Sequence, residues 1–154
     1  MINFKFIISA IIPVILFTGC ASVKMESKEI SEKIKQFANP TEGNSGLFIY
    51  RDSSFGGGLK KDIFVNGKCI GESASKTFFY TEVQGGKVNS IETESEFSPN
   101  KISLMAEAGK NYFIRQFIKM GVFVGGADLE VMPEDVAKAA ISKLDLAVNG
   151  TCGN

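Results

Sequence analysis

The sequence predicts a mainly β domain, a sandwich or a barrel, and three observations lead to this fold class. The chain of 154 residues contains 13 Phe, 16 Gly and no Trp, a composition that favours aromatic-rich strands joined by many turns. Short segments rich in β-branched and aromatic residues recur about every 10 residues, with turn signals between them. A hydrophobic content of 44% suits one ordinary core, so we expect one domain.

The composition also argues against two classes of function, nucleic-acid binding and catalysis that uses His. The 17 basic and 17 acidic side chains balance and are scattered along the chain, which argues against nucleic acid as a partner. The sequence contains no His, so the usual general base near neutral pH and the commonest zinc ligand are missing. We therefore expect a protein without enzyme activity and without a cofactor.

The N-terminus has the features of a signal peptide, to which we assign residues 1–19. Lys5 precedes an apolar run from residue 6 to residue 17 that only Ser9 interrupts. A helix that spans a bilayer needs about 20 apolar residues, and Pro13 in the middle of the run weakens a regular span further. The run therefore fits a signal peptide better than an uncleaved membrane anchor.

The end of this run, Phe17-Thr18-Gly19-Cys20, resembles the lipobox of bacterial lipoproteins, with Phe17 at a position usually held by Leu. The resemblance implies cleavage between Gly19 and Cys20 and acylation of Cys20, whose thiolate is the nucleophile that accepts the lipid. It also implies, from Ala21, a protein attached to the outer membrane that faces the periplasm or the cell exterior. The membrane is then a partner through the lipid on Cys20. An accidental Gly-Cys pair after an ordinary secretory signal is the alternative.

Residues 20–43 form the predicted tether between lipid and domain. Within 22–38, Ile30, Ile34 and Phe37 recur at helical spacing, which predicts a short amphipathic helix. Its Lys and Glu residues balance, which favours a helix packed on the domain over one that lies at the membrane interface. A turn-rich stretch, NPTEGNSG, follows it.

The segment DIFVNGKCIGE predicts the clearest hairpin, because Asn66-Gly67 suits a two-residue type I′ turn. The register that follows makes two cross-strand pairs: Ile63 with Ile70, and Phe64 with Cys69. Three apolar side chains then share one face: Ile63, Val65 and Ile70.

The other elements complete a domain over residues 44–146, with a tail at 147–154. A strand at 46–52 leads into a glycine-rich loop at 53–61. Further strands are predicted at 76–83, 87–97, 101–108, 111–120 and 121–132.

A C-terminal helix is predicted over 133–144, where Pro133 and two acidic residues provide a helix start. Val136, Ala140 and Leu144 would form its apolar face. We expect this helix to cover part of a sheet.

Four segments of the chain resemble the bacterial lipoprotein family called domain of unknown function 2846. In chain order they are GLFIYR, IFVNGKCIG, AEAGKNYFIRQ and ADLEVMPED. The similarity covers roughly residues 44–135. It implies an antiparallel β-sandwich of the prealbumin-like or carboxypeptidase-regulatory-domain-like kind, placed after a lipoprotein signal. It implies no chemistry, because the activity of the family is itself unknown.

With Cys20 assigned to lipid, Cys69 and Cys152 remain as an even pair in a compartment where disulfides persist. A bond between them would attach the C-terminal tail to the hairpin. The alternative is that Cys69 is a small buried side chain and Cys152 a free thiol.

Three acidic residues alternate along the strand predicted at 87–97: Glu92, Glu94 and Glu96. On a strand their carboxylates would share one face about 6.5 to 7 Å apart. This arrangement is typical of a solvated strand face, but it could also hold a hard cation or supply the carboxylate pair of a glycosidase. No other metal site is predicted.

Two further groups could form sites. Arg51 and Arg115, the only arginines, could bind a ligand carboxylate, although ion pairs with neighbouring acids are the commoner use. The segment FGGGLKK lacks the spacing of a phosphate-binding P-loop and predicts a flexible loop. Six aromatic residues are expected mostly in the core and would suggest a binding patch if exposed together: Phe78, Phe79, Tyr80, Phe113, Phe117 and Phe123.

Together these features predict a lipid-anchored envelope protein whose sandwich is a non-catalytic binding or structural module for an envelope protein or glycan. Two alternatives stay open. One is a carboxylate-dependent envelope enzyme, such as a glycan hydrolase, that uses the three glutamates. The other is a soluble secreted binding protein whose Cys20 carries no lipid.

Overall fold

The computed structural model describes residues 22–153, which form two β-sheets and two helices. The strands are β1 Asn44–Arg51, β2 Lys61–Val65, β3 Lys68–Ser73, β4 Thr77–Gln84, β5 Lys87–Thr93, β6 Asn100–Ala106, β7 Asn111–Lys119, β8 Gly126–Val131 and β9 Asp145–Leu146. The helices are α1 Lys28–Ile34 and α2 Glu134–Ile141. The predicted mainly β fold is confirmed. In the part of the chain described, no helix is long and apolar enough to cross a membrane.

The two sheets pack face to face as a sandwich. The strand order is β8-β7-β1-β4-β9 in one and β3-β2-β5-β6 in the other. The four-stranded sheet is antiparallel, as predicted, but in the five-stranded sheet β1 runs parallel to β7 and β4 parallel to β9. The predicted β-sandwich is confirmed, and its five-stranded sheet is mixed where the prediction gave antiparallel pairs. Parallel neighbours need a long connection, and the whole four-stranded sheet lies between β1 and β7 in the sequence.

Strand β1 lies at the centre of its sheet and is buried on both faces. Leu47 and Ile49 belong to the core between the sheets, whereas Phe48 and Tyr50 belong to a second apolar cluster on the opposite face. Successive side chains of a strand point to opposite faces, so both faces of β1 must be covered. This double burial explains why GLFIYR is a nearly continuous apolar run.

The two helices, from opposite ends of the described chain, cover the second cluster. Helix α1 begins at Ser27, whose hydroxyl accepts the N–H of Ile30 at 3.2 Å, and it packs Ile34 against the cluster. Phe37, just beyond the helix, packs on Phe48 with ring centroids 5.1 Å apart. The helix therefore lies on the domain, although Ile30, which was predicted on its apolar face, is largely exposed.

The segment before α1 extends the five-stranded sheet. Met25 forms a bridge with Ala147, and the Val148 N–H donates to the carbonyl of Lys24 at 2.9 Å. This extended segment makes the helix shorter than the range predicted, 22–38. The chain is thus part of the folded domain from Lys24 onward.

The buried face of α2 differs from the predicted one. Two of the three predicted residues do contact the cluster: Leu144 is buried just after the helix, and Ala140 packs there partly buried. Ala137 and Ile141 are the fully buried residues of the helix itself, whereas Val136 is 49% exposed. Pro133 is the N-cap, in an extended conformation, and the helix starts at Glu134. The two candidate apolar faces differ by about 100° around the helix, and the contact with the sheet selects the face that starts at Ala137.

The hairpin of β2 and β3 has the predicted turn but a different register. Asn66 and Gly67 both have positive φ, 51° and 75°, as a type I′ turn requires. Phe64 pairs with Cys69 as predicted, but a bulge pairs Ile63 with Gly71 instead of Ile70. A Cβ on Gly71, whose φ is 154°, would lie 2.8 Å from the Phe79 ring, so this position needs glycine. The three apolar side chains that were predicted to share a face are nevertheless all buried.

The corrected face of α2 predicts unequal effects of two truncations. Ile141→Ala should lower the free energy of unfolding by about 2 to 4 kcal/mol, because it leaves a cavity in the cluster beneath the helix. Val136→Ala, the matched control, should change it by less than about 0.5 kcal/mol, because the side chain is half in solvent. Urea unfolding followed by circular dichroism measures both. A larger loss for Val136→Ala would contradict this packing.

Candidate functional site

The predicted lipidation and cleavage residues, Gly19 and Cys20, lie outside the described residues. The described chain begins at Ser22, which lines a shallow groove together with Lys60, Glu72 and Thr151. Lys60 and Glu72 form an ion pair at 2.7 Å in this groove. The groove therefore marks where the chain enters the domain.

Cys69 and Cys152 form a disulfide, with their Cα atoms 6.0 Å apart. The tail that carries Cys152 also pairs with strand β3. The Gly150 N–H donates to the carbonyl of Ile70 at 2.7 Å, and the Glu72 N–H donates to that of Thr151 at 2.9 Å. The tail is therefore held along the edge of the four-stranded sheet.

The three glutamates do not form the predicted ladder. Strand β5 ends at Thr93, so only Glu92 lies on it. Glu92 pairs with Lys101 at 3.1 Å, Glu94 pairs with Lys61 at 3.0 Å, and Glu96 turns away to a different loop. Within residues 22–153, no group of three or more His, Cys, Asp or Glu side chains could hold a metal ion. The three glutamates therefore do not form one shared site, although Glu92 and Glu94 line one groove together with Asp62.

The two arginines are both occupied by the protein itself. Arg115 binds Asp52 at 2.8 Å and Glu130 at 3.0 Å, the ion pairing that is common for such residues. Arg51 is fully buried, and its guanidinium donates to the carbonyl oxygens of Leu59 at 2.7 Å and of Gly56 at 2.5 Å. Burial lowers the pKa of Arg51 from its ordinary value. Neither arginine is available to a ligand carboxylate.

Arg51 explains the shape of the glycine-rich segment. Residues 52–60 wrap around its guanidinium and direct carbonyl oxygens toward the cation, the opposite polarity to a loop that binds phosphate through N–H groups. Gly56 has a φ of 66°, and a Cβ there would lie 2.9 Å from Ile118. The segment is thus the predicted loop, held in place by a buried charge.

The aromatic residues divide between the core and the surface. Phe78, Phe79 and Phe113 are buried, as predicted. Phe123 is 83% exposed, so its assignment to the core is wrong. The strand predicted at 121–132 begins only at Gly126, because β7 and β8 stop pairing at Lys119 and Gly126.

Three loops lie together at the end of the sandwich where β1, β5 and β7 finish: residues 52–60, 94–99 and 120–125. The Gly125 position lies against Leu59 of the first loop, and Ser95 of the second lies against Gly126. Six apolar side chains of these loops are more than half exposed. One is Phe55, and we call the other five the apolar tip: Phe97, Met120, Val122, Phe123 and Val124. Phe97, Met120 and Val122 line one groove of about 420 Å³.

The carboxylate of Glu96 holds the backbone of the apolar tip through hydrogen bonds. It accepts the N–H groups of Val122 at 2.6 Å, of Phe123, and of Val124 at 3.2 Å. Burial raises the pKa of this carboxyl, but the three N–H donors outweigh it and hold the pKa below its ordinary value of 4.5. The backbone at Gly121 approaches so closely that a Cβ there would collide with the carbonyl of Val124.

An exposed apolar cluster held in a defined shape is typical of a contact surface. The sequence did not predict most of the apolar tip, because the pattern GVFVGG is typical of the start of a strand. The available signal was the bracketing of VFV by glycines, which marks a turn as readily as a strand. The tip contains no titratable group except the Glu96 carboxylate beneath it, so its chemistry is that of apolar contact.

The fold and these sites define the chain as a small disulfide-linked β-sandwich domain with an apolar loop end. Residues 41–127 match the model of the family described as "Protein of unknown function (DUF2846)", and the chain belongs to this family. It is 53% identical over 135 residues to an uncharacterized protein of Haemophilus influenzae, an alignment that covers 88% of this chain and 80% of the relative. No solved structure matches the chain. The family membership inferred from the strand motifs is therefore confirmed.

Removing the Glu96 carboxylate should loosen the apolar tip. In Glu96→Ala, the amides of Val122, Phe123 and Val124 should exchange with deuterium several-fold faster, because they lose their acceptor. Glu94→Ala is the matched control, since it removes only the pair with Lys61. Mass spectrometry of the peptide over the loop measures this. Unchanged exchange in Glu96→Ala would show that the carboxylate does not hold the loop.

The same interaction gives a pH dependence. The folded-state pKa of Glu96 is depressed, so its contribution is present above about 4.5 and is lost as the pH falls through the lower folded value. Wild-type protection of these amides, relative to an unstructured peptide, should therefore persist down to about pH 4.5 and decrease below it. Loss of protection between pH 7 and pH 5 would contradict this assignment.

The disulfide should contribute substantially to stability. It closes a separation of 83 residues, which corresponds to roughly 4 kcal/mol in the chain-entropy model. The variant with both Cys69→Ser and Cys152→Ser should lose stability of that order in urea unfolding. Alkylation of the unfolded wild type without reductant should leave both cysteines unlabelled in peptide mass maps. Labelling of both would contradict the bond.

Proposed function

We propose that this protein is a lipid-anchored envelope protein whose β-sandwich serves as a non-catalytic binding or structural module. The observation that carries the proposal is the Phe17-Thr18-Gly19-Cys20 motif at the end of a short apolar run. Its resemblance to a lipobox implies an N-terminal acylated Cys20. Two or more acyl chains hold a protein stably on a bilayer, whereas one chain does so only marginally.

The position of the folded domain supports this proposal. Lys24 is already hydrogen-bonded to the sheet, so the domain starts four residues after Cys20. The Cys69–Cys152 disulfide supports a compartment outside the cytoplasm, because such bonds persist in oxidising environments. By the sorting resemblance, Ala21 favours the outer membrane, with the domain facing the periplasm or the cell exterior.

The non-catalytic part of the proposal rests on the side chains. The chain has no His, and Glu92 and Glu94 are each paired with a lysine. The alternative of a glycan hydrolase needs two carboxylates that face one substrate. Glu92 and Glu94 line one groove, but each is already paired with a lysine. The exposed apolar tip supports a contact role for the module instead.

Lipid attachment is tested by Cys20→Ser in the full-length chain, with Ser22→Ala as the matched control. Wild type and Ser22→Ala should fractionate with the outer membrane on a density gradient, and Cys20→Ser should leave that fraction. The reason is that serine lacks the thiolate that accepts the lipid. A Cys20→Ser protein that stays in the membrane would indicate an uncleaved anchor. A wild type found in the soluble fraction would indicate a secreted protein.

A further inference from the structure

The direction of the strands places the apolar tip and the entry of the chain at one end of the sandwich. The loops that carry the tip follow β5 and β7, and residues 52–60 connect the end of β1 to the start of β2. Ser22 lies in the groove formed with Lys60, the last residue of that connection, and with Glu72 near the end of β3. The described chain therefore begins at the same end as the tip.

Covalent geometry limits the distance between this entry point and Cys20. Two residues of extended chain span at most about 7 Å, so Cys20 lies no farther than that from Ser22. A lipid on Cys20 would therefore bring this end of the sandwich to the bilayer surface. The opposite end, with the β4–β5 turn and Val88, would point away from it.

The apolar tip has the chemistry that a lipid surface accepts. The run from Met120 to Gly126 contains no ionisable side chain, and Phe123 and Met120 are more than four-fifths exposed. An apolar environment penalises unpaired backbone N–H groups. The N–H groups of the three residues at the centre of the loop are already satisfied by Glu96. These three N–H groups can therefore leave water with their acceptor in place.

We propose that the apolar tip inserts into the interface of the same bilayer that holds the Cys20 lipid, as a second point of attachment that fixes the orientation of the domain. This inference rests on the proposed lipid anchoring for its geometry. The ion pairs Lys60–Glu72 and Lys119–Asp128 near this end are neutral as pairs. The tip itself carries no basic side chain, so its own contact is made by apolar side chains, while Lys76 and Lys143 add two cations at the same end.

The chain contains no Trp, so a single introduced Trp reports on one position. Phe123→Trp and Met120→Trp place the reporter in the tip, and the second variant covers a failure of the first to fold. Val88→Trp is the matched control, because Val88 is also exposed but lies at the other end. The lipidated full-length variants are reconstituted with vesicles of phosphatidylethanolamine and phosphatidylglycerol, with and without brominated acyl chains.

Brominated lipid should remove about half or more of the indole emission of Phe123→Trp and Met120→Trp, since an interfacial apolar segment lies roughly 5–10 Å into the headgroup boundary. The emission of Val88→Trp should stay unchanged. Co-flotation with the vesicles separately reports the anchor.

The two readouts distinguish failure of the insertion from failure of the anchor. Co-flotation without quenching in either tip variant overturns the insertion and leaves the anchor standing. Quenching and co-flotation of the tip variants that persist when Cys20→Ser is added support insertion and overturn the lipid on Cys20 as the anchor. The absence of both overturns both proposals.

Two further outcomes would also overturn the insertion. A blue shift of the Phe123→Trp emission that grows with protein concentration in the absence of lipid would indicate a second copy of the chain and overturn the insertion. Equal quenching in Phe123→Trp and Val88→Trp would show that the domain has no fixed orientation, which also overturns it.

Discussion

The burial of β1 on both faces is the constraint on which the rest of the structure depends. Leu47 and Ile49 need the four-stranded sheet on one side, and Phe48 and Tyr50 need a cover on the other. Neither sheet alone can provide both covers. The second cover comes from α1 and α2, which the chain supplies just before β1 and just after β8. The two helices, near the two ends of the described residues, are therefore part of the core and not appendages to it.

Two buried or partly buried charges organise the loop end where regular pairing stops. The guanidinium of Arg51 donates to carbonyl oxygens of the connection between β1 and β2. The carboxylate of Glu96 accepts N–H groups of the connection between β7 and β8. Each charge replaces the hydrogen bonds that a strand would have made. The apolar side chains on these loops can then remain exposed on a defined backbone. A contact surface of this kind needs no pocket.

Local chemistry explains which features the sequence predicted correctly. Asn66-Gly67 makes a type I′ turn whatever surrounds it, because both positions favour positive φ. The buried faces of β1 and the two cysteines likewise follow from residue type and number. The failures depend on distant contacts. Strand β5 ends at Thr93, and the Glu94 N–H makes one more bond to β2, to the carbonyl of Asp62 at 3.2 Å. Because β2 begins at Lys61, the alternation has no partner strand at Glu96.

The predictions of the buried helix face and of the apolar tip are wrong for the same reason. The choice between Val136 and Ala137 as the buried start of α2 depends on the surface of the sheet beneath it, which no local pattern contains. Phe123 resembles a core residue in sequence, but its loop extends past the last pair of β7 and β8. Exposed apolar side chains are the ones for which an argument from burial predicts the wrong place.

The hydrogen bonds of Lys24 and Glu26 to the last strand leave no slack between the domain and the residues that precede it. A domain of this size has a radius of gyration of about 14 Å. With the proposed lipid on Cys20, it would search for partners in the plane of the membrane rather than through the depth of the compartment. Under that proposal a partner would have to come to the bilayer surface, or be attached to it, because the described chain belongs to the folded domain from Lys24 onward.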